Sequence, residues 1–305
     1  MRWLDRFFRS TTVPTDRTQQ TATTGHAGVS DNAADAGPTG SPRPSMSPDT
    51  ALAQMNAALT AAKAGDYDTA LALWEPLARA GNARAQNNIG ACFAEGLGVP
   101  SDRPLALRWL TLSADAGDPV GQRNCAAFHM QGSDATGSDA DPAKAAKLYR
   151  LAAEQGDAPS QDMLSWLLLE GEIIPSDRAE AKLWAERAAE GGVAASMTRL
   201  GMLYHNAIGV DRDPDKAVFW WRKGAEGGDA DAQAMLGAAC HMGAGTQVDR
   251  IAALAWLIRA MHGGSALAQP FLNPVRENLS AADIAEAERR ARLPLVEMIM
   301  AGDES

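Results

Sequence analysis

The chain has 305 residues, a formal net charge of −10 and three cysteines. This acidic balance disfavours a sequence-independent grip on phosphate backbones, so nucleic acid is not an expected partner. Cys92, Cys125 and Cys240 are an odd, widely spaced set without a CxxC, which excludes a disulfide framework or a zinc ligand set and fits a reducing, cytoplasmic compartment.

The first ten residues, MRWLDRFFRS, place Trp3, Leu4, Phe7 and Phe8 on one side of a short helix and Arg2, Asp5, Arg6 and Arg9 on the other. They lack the apolar stretch and cleavage site of a secretory signal. Nothing in the chain approaches the roughly eighteen apolar residues of a membrane span. Peripheral membrane contact through Trp3, Leu4, Phe7 and Phe8, at the inner face of the membrane, is one use of such a segment. From there to residue 48, Thr, Ser, Gly, Pro, Ala and Asp dominate, too few large apolar side chains to offset the entropy of ordering. Residues 1–48 are therefore expected to be a disordered N-terminal segment. A tether of about 38 residues would reach roughly 35 Å.

From Pro48 onward, alanine, leucine and tryptophan return at helical spacing. An Asp with an Ala four residues on recurs at Asp66, Asp102, Asp141, Asp177, Asp213 and Asp249, and a Gly follows each Ala at Gly81, Gly117, Gly156, Gly192, Gly228 and Gly264. The period predicts helix pairs over about 49–82, 83–118, 119–157, 158–193, 194–229 and 230–265. The third is longer through the loop SDATGSDADP. Each Gly suits the left-handed turn that ends a second helix. Asn82, Asp118, Asp157, Asp229 and Ser265 then cap the next first helix, with Val193 as a weaker cap. The recurring Asp caps each second helix, with Pro142 and Pro214 at its first position. Trp109, Trp184, Trp220 and Trp256, with Leu73 and Leu148, share one place and are expected to form a core ladder.

First helices follow A-x-x-x-L-G-x-x-aromatic, as in Ala85/Ile89/Gly90/Phe93, Ser196/Leu200/Gly201/Tyr204 and Ala232/Leu236/Gly237/Cys240. A mid-helix Gly costs helix propensity, so a neighbouring helix must approach closely there.

The stretch AQNNIGACFAEGLGVPSDRPLALRWLTLSADAGD resembles a Sel-one-like repeat, a relative of the tetratricopeptide repeat. The resemblance covers 83–265, and GDYDTALALWEPLARAGNARAQ is similar to the usual first unit of such arrays. Residues 266–293 resemble their closing cap, with Ser280 and Asp283 in a capping-box pattern, and 294–305 form a tail. The resemblance implies an all-α fold, a right-handed α/α solenoid of helix-turn-helix repeats over 49–293, whose first helices line a concave surface. It implies an adaptor or scaffold. A secreted branch of that family has paired cysteines in each repeat, which this chain lacks.

Facing away from the helical core positions are Asn87, Ala91 and Glu95, then Arg123, Ala127 and Gln131, Asp162, Trp166 and Glu170, and Thr198, Met202 and Asn206. The expectation is a polar groove with one apolar patch, binding a protein or peptide through Trp166, Met202, Glu170, Asn206, Arg123, Asn87 and Glu95. Trp166 is the sharpest candidate, since the repeat does not require an aromatic there. No nucleophile elbow, zinc-protease helix, Walker loop or dinucleotide fingerprint occurs, so neither enzyme activity nor a cofactor is expected. The expected function is a non-catalytic scaffold. The alternative is a membrane-associated regulatory adaptor anchored by the N-terminal peptide.

Overall fold

The computed structural model describes residues 47–132 and 140–298. The N-terminal amphipathic segment and nearly all of its tether, most of the long loop of the third copy and the C-terminal end lie outside the described residues. The chain is an all-α solenoid of helix pairs, and it divides into two compact units that meet at Asp141 and Pro142.

The first unit contains α1 (Pro48–Lys63), α2 (Tyr67–Arg79), α3 (Ala83–Glu95), α4 (Arg103–Asp115) and α5 (Pro119–Gln131). Helices α1 with α2 and α3 with α4 are antiparallel partners, and α5 packs on α4. The second unit runs through α6 (Pro142–Glu154), α7 (Ala158–Glu170), α8 (Arg178–Glu190), α9 (Ala194–Asn206), α10 (Pro214–Glu226), α11 (Ala230–Met242) and α12 (Arg250–His262). A 3₁₀ turn at Ala266–Ala268, α13 (Gln269–Arg276) and α14 (Ala281–Arg292) close it.

The helix boundaries follow from capping chemistry. The carboxylates of Asp66, Asp102, Asp177, Asp213 and Asp249 each accept from the backbone N–H three residues on, at 2.9–3.1 Å. Asn82, Asp118, Asp157 and Asp229 do the same for first helices. The six repeating glycines all sit at φ between 82° and 90°, a conformation that would strain any side chain. Ser280 and Asp283 form the full capping box of α14.

The core ladder stands one residue from its expected place. Trp109, Trp184 and Trp256 are buried, but Leu73, Leu148 and Trp220 at the same position are half-exposed. The next residue is buried in all six copies: Trp74, Leu110, Tyr149, Ala185, Trp221 and Leu257. This is the column that the mid-helix glycines face. A Cβ on Gly90 would lie 2.8 Å from Leu110, one on Gly201 2.3 Å from the Trp221 ring, and one on Gly237 2.9 Å from Leu257. In these three copies the large ladder residue occupies the space that a side chain on the glycine would need. Where the ladder residue is Ala185, the matching first-helix position is Ser165, fully buried.

A second device repeats beneath this. Gln86, Gln161 and Gln233 are buried, and each Nε2 donates to the carbonyl eight residues back, at 3.1–3.3 Å. Gln122 reaches Ala114 in the same way. Each bond ties a first helix to the end of the preceding second helix and satisfies a buried carbonyl.

Helix α9 lacks three of these devices. Val193 makes no side-chain cap bond, Met197 stands in the glutamine position, and Ala207 holds φ 56° where Gly96, Gly171 and Gly243 end α3, α7 and α11. Val193→Asp should therefore stabilise the protein by about 1 kcal/mol, and Ala207→Gly by about 1 kcal/mol through relief of left-handed strain. Urea unfolding midpoints would check both, and a lowered midpoint for either would contradict the capping account.

Candidate functional site

Outward positions on the first helices were the expected binding wall, and the structure divides them by depth. Most of the first row is interior. Asn87 is 4% exposed and Arg123 7%. Asn87 Oδ1 accepts from Asn124 Nδ2 at 2.8 Å, a bond from α3 to α5. This corrects the expectation for both residues: their side chains belong to the interior and are not presented to a partner. Glu95, at the end of α3, is exposed.

In the second unit the same row holds Asp162, 2% exposed. Its carboxylate accepts from Ser196 Oγ and from Arg199 at 3.0 Å, both on α9. A charge this deep is tolerated because it is paired and hydrogen-bonded. The pair links α7 to α9 and sits one turn before Trp166.

The next row is shallower. Trp166 on α7 and Met202 on α9 hold the same register and are both half-buried, Met202 packing partly against the core cluster around Trp221. On α11 the same register is Ala238, 1% exposed. Glu170 and Asn206, one turn further along, are exposed. In the second unit the structure thus leaves Trp166, Met202, Glu170 and Asn206 on one face of successive first helices.

Sequence reasoning missed an exposed row on the second helices. Leu183 on α8 is 44% exposed and Phe219 on α10 is 50% exposed, at the same register. Lys223 Nζ lies 4.7 Å from the Phe219 ring centroid, and the Arg187 guanidinium 4.6 Å from that of Trp184. The available signal was a pair of large apolar residues at a position that other copies fill with Ala72, Arg108, Lys147 and Ala255.

The reactive side chains are placed for packing. Burial pushes the Cys92 thiol up to about 12 and the Cys240 thiol up to about 11, so both stay protonated at neutral pH and are poor nucleophiles. Iodoacetamide at pH 8 should leave Cys92 unmodified in the folded chain while labelling it in urea; rapid native labelling would contradict its burial. The His205 ring lies 5.3 Å from Trp221. Among the described residues no group of three or more His, Cys, Asp or Glu is placed to hold a metal, and no helix is long and apolar enough to cross a membrane.

The repeat pattern has a named counterpart. The Sel1 repeat family matches residues 83–118, 119–157, 158–193, 194–229 and 230–265. The chain belongs to the Sel1 repeat family. A crystal structure of a Sel1 repeat protein from Oxalobacter formigenes is 31% identical over 78% of this chain and 98% of its own, with a TM-score of 0.67. A protective antigen of uropathogenic Escherichia coli with the SLR fold is 24% identical over 79% of this chain and 68% of its own, TM-score 0.34. A Sel1 repeat protein from Klebsiella pneumoniae is 20% identical over 67% of this chain and 97% of its own, TM-score 0.43. No curated protein matches the chain.

Within these Sel1 repeats, the register of Trp166 is small in three copies and large in two, and only its large members and Ala91 are partly exposed. Ala91, Ala127, Trp166, Met202 and Ala238 occupy one register.

Proposed function

We propose that the protein is a non-catalytic, cytoplasmic scaffold that binds a protein or peptide through the first helices of its second unit. The contact residues are Trp166 and Met202, flanked by Glu170 and Asn206. One observation carries this reading: two consecutive copies replace a small residue by a large apolar one at the same register, and both side chains stay partly exposed. A half-exposed tryptophan and a flexible methionine at one register of successive first helices are typical anchors for apolar partner side chains, and the polar residues around them set orientation. The buried free thiols support a reducing compartment.

Affinity capture with the intact chain and with Trp166→Ala tests the reading. The variant should retain its helical circular dichroism and lose at least about tenfold in partner affinity, the effect of removing an interface anchor. Unchanged capture, or a variant that loses its helical signal, would overturn the assignment of Trp166 to a binding face.

A further inference from the structure

The second unit contains one three-residue arrangement twice, once complete and once without its middle member. In the complete copy, both guanidinium nitrogens of Arg150 on α6 donate to the two carboxylate oxygens of Glu180 on α8, and the Trp184 indole N–H donates to the same carboxylate at 3.1 Å. Glu180 thus bridges a cation and an indole. Two repeats later the equivalent positions are Arg222 on α10, Ala252 on α12 and Trp256 on α12. The carboxylate is gone, and its two partners remain.

The missing side chain leaves room. Arg222, Ala252 and Trp256 line one cavity of about 610 Å³, within the range of small-ligand pockets. Leu236, Leu279 and Met298 supply apolar wall, and Arg250 adds a second guanidinium. Among the described residues neither Arg222 nor Arg250 has a hydrogen-bond or ion-pair partner, and the Trp256 indole N–H has no protein acceptor and is open to solvent at the cavity. The lining carboxylates do not replace Glu180. Asp249 accepts from the backbone of Ala252, Asp283 closes the capping box with Ser280, and Glu226 makes no ion pair among the described residues.

We propose that this cavity is a binding site for a carboxylate, held between the Arg222 guanidinium and the Trp256 indole N–H as Glu180 is held between Arg150 and Trp184. The apolar wall fits an aliphatic group attached to that carboxylate. The chemistry is shared by a peptide C-terminus and by a free aliphatic acid. The site is separate from the first-helix face around Trp166.

The experiment uses the full-length chain labelled with ¹⁵N at its indoles, with the Trp256 signal assigned by its loss in Trp256→Phe. Acetyl-Ala-Ala-Leu with a free C-terminus should shift that signal saturably, while its C-terminal amide should not. Hexanoate shifting it as tightly as the peptide supports the site as one for free acids; tighter binding of the peptide supports one for C-termini. Arg222→Gln should weaken the carboxylate about tenfold or more, the effect of losing a charge-assisted hydrogen bond. Ala252→Glu rebuilds the complete arrangement, so it should displace the Trp256 signal without ligand and abolish the titration. Equal shifts by acid and amide, no shift by either acid, or full binding by Arg222→Gln would each overturn the proposal.

Discussion

Trp221→Ala is expected to destabilise the protein by about 3–5 kcal/mol, the range for truncating a fully packed aromatic. Trp220→Ala, one residue away, should cost about 1–2 kcal/mol, because less apolar surface leaves contact. Trp221 is 2% exposed, and its ring lies against the backbone of Gly201 with no room for a Cβ between them. Trp220 is half-exposed, packs on the cluster around Leu200 and Leu203, and meets Phe219 edge to face at 5.2 Å. Urea titrations of both variants, followed by circular dichroism, would show the contrast. Equal losses would contradict the assignment of the ladder. Gly201→Ala should be damaging for the same reason, since its new Cβ would need the indole to move.

Asp162→Ala is the second large effect. It leaves the Arg199 guanidinium, whose side chain is 14% exposed, without its carboxylate, and Ser196 Oγ without its acceptor. Breaking such a buried pair costs about 3–5 kcal/mol, mostly from the uncompensated charge. Arg199→Met, which removes the cation, leaves Asp162 with the Ser196 hydroxyl alone and should also destabilise. The double variant Asp162→Leu with Arg199→Met should recover much of the loss, since an apolar pair has no charge to desolvate. A double variant no better than Asp162→Ala would show that α7 and α9 need this polar bond for their relative placement. Unfolding midpoints of the three variants decide between these outcomes.

These two effects mark where the sequence was legible and where it was not. Caps are local: an Asp and the N–H three residues on are fixed by one turn of backbone, so Asp66, Asp102 and Asp249 could be read directly. The closing glycines were legible for the same reason. The ladder was harder. Tryptophan marks a core position by its size, and three of the four at that position are buried, yet the column facing Gly90, Gly201 and Gly237 is the neighbouring one. Adjacent residues on a helix are only about 100° apart, and a second helix packs on its own partner and on the next first helix, so both columns are partly covered. Chain order alone does not say which is covered completely.

The binding wall shows the same limit from the other side. A first helix within a stack is covered over most of its circumference; α11 buries Ala230, Ala232, Gln233, Ala234, Leu236, Gly237, Ala238, Ala239 and Cys240. An outward position on a helical wheel is therefore open only near the end of the helix, as at Glu170 and Asn206, or where the side chain is long enough to emerge, as at Trp166 and Met202. Asn87, Arg123 and Asp162 stand one turn or more too early and are buried, Asn87 and Asp162 bonded to the next first helix. The buried glutamines were not legible as a class because their acceptors are backbone carbonyls, which leave no mark on side-chain periodicity.

Site-specific photocrosslinking tests most directly whether a partner is held on the first-helix face of the second unit. A photoreactive phenylalanine analogue at position 202 or 206 should yield adducts with a bound protein, and the same group at position 183 or 219 on the second helices should yield none. Adducts confined to 183 and 219 would contradict the account and move the binding surface to the opposite side of the repeats.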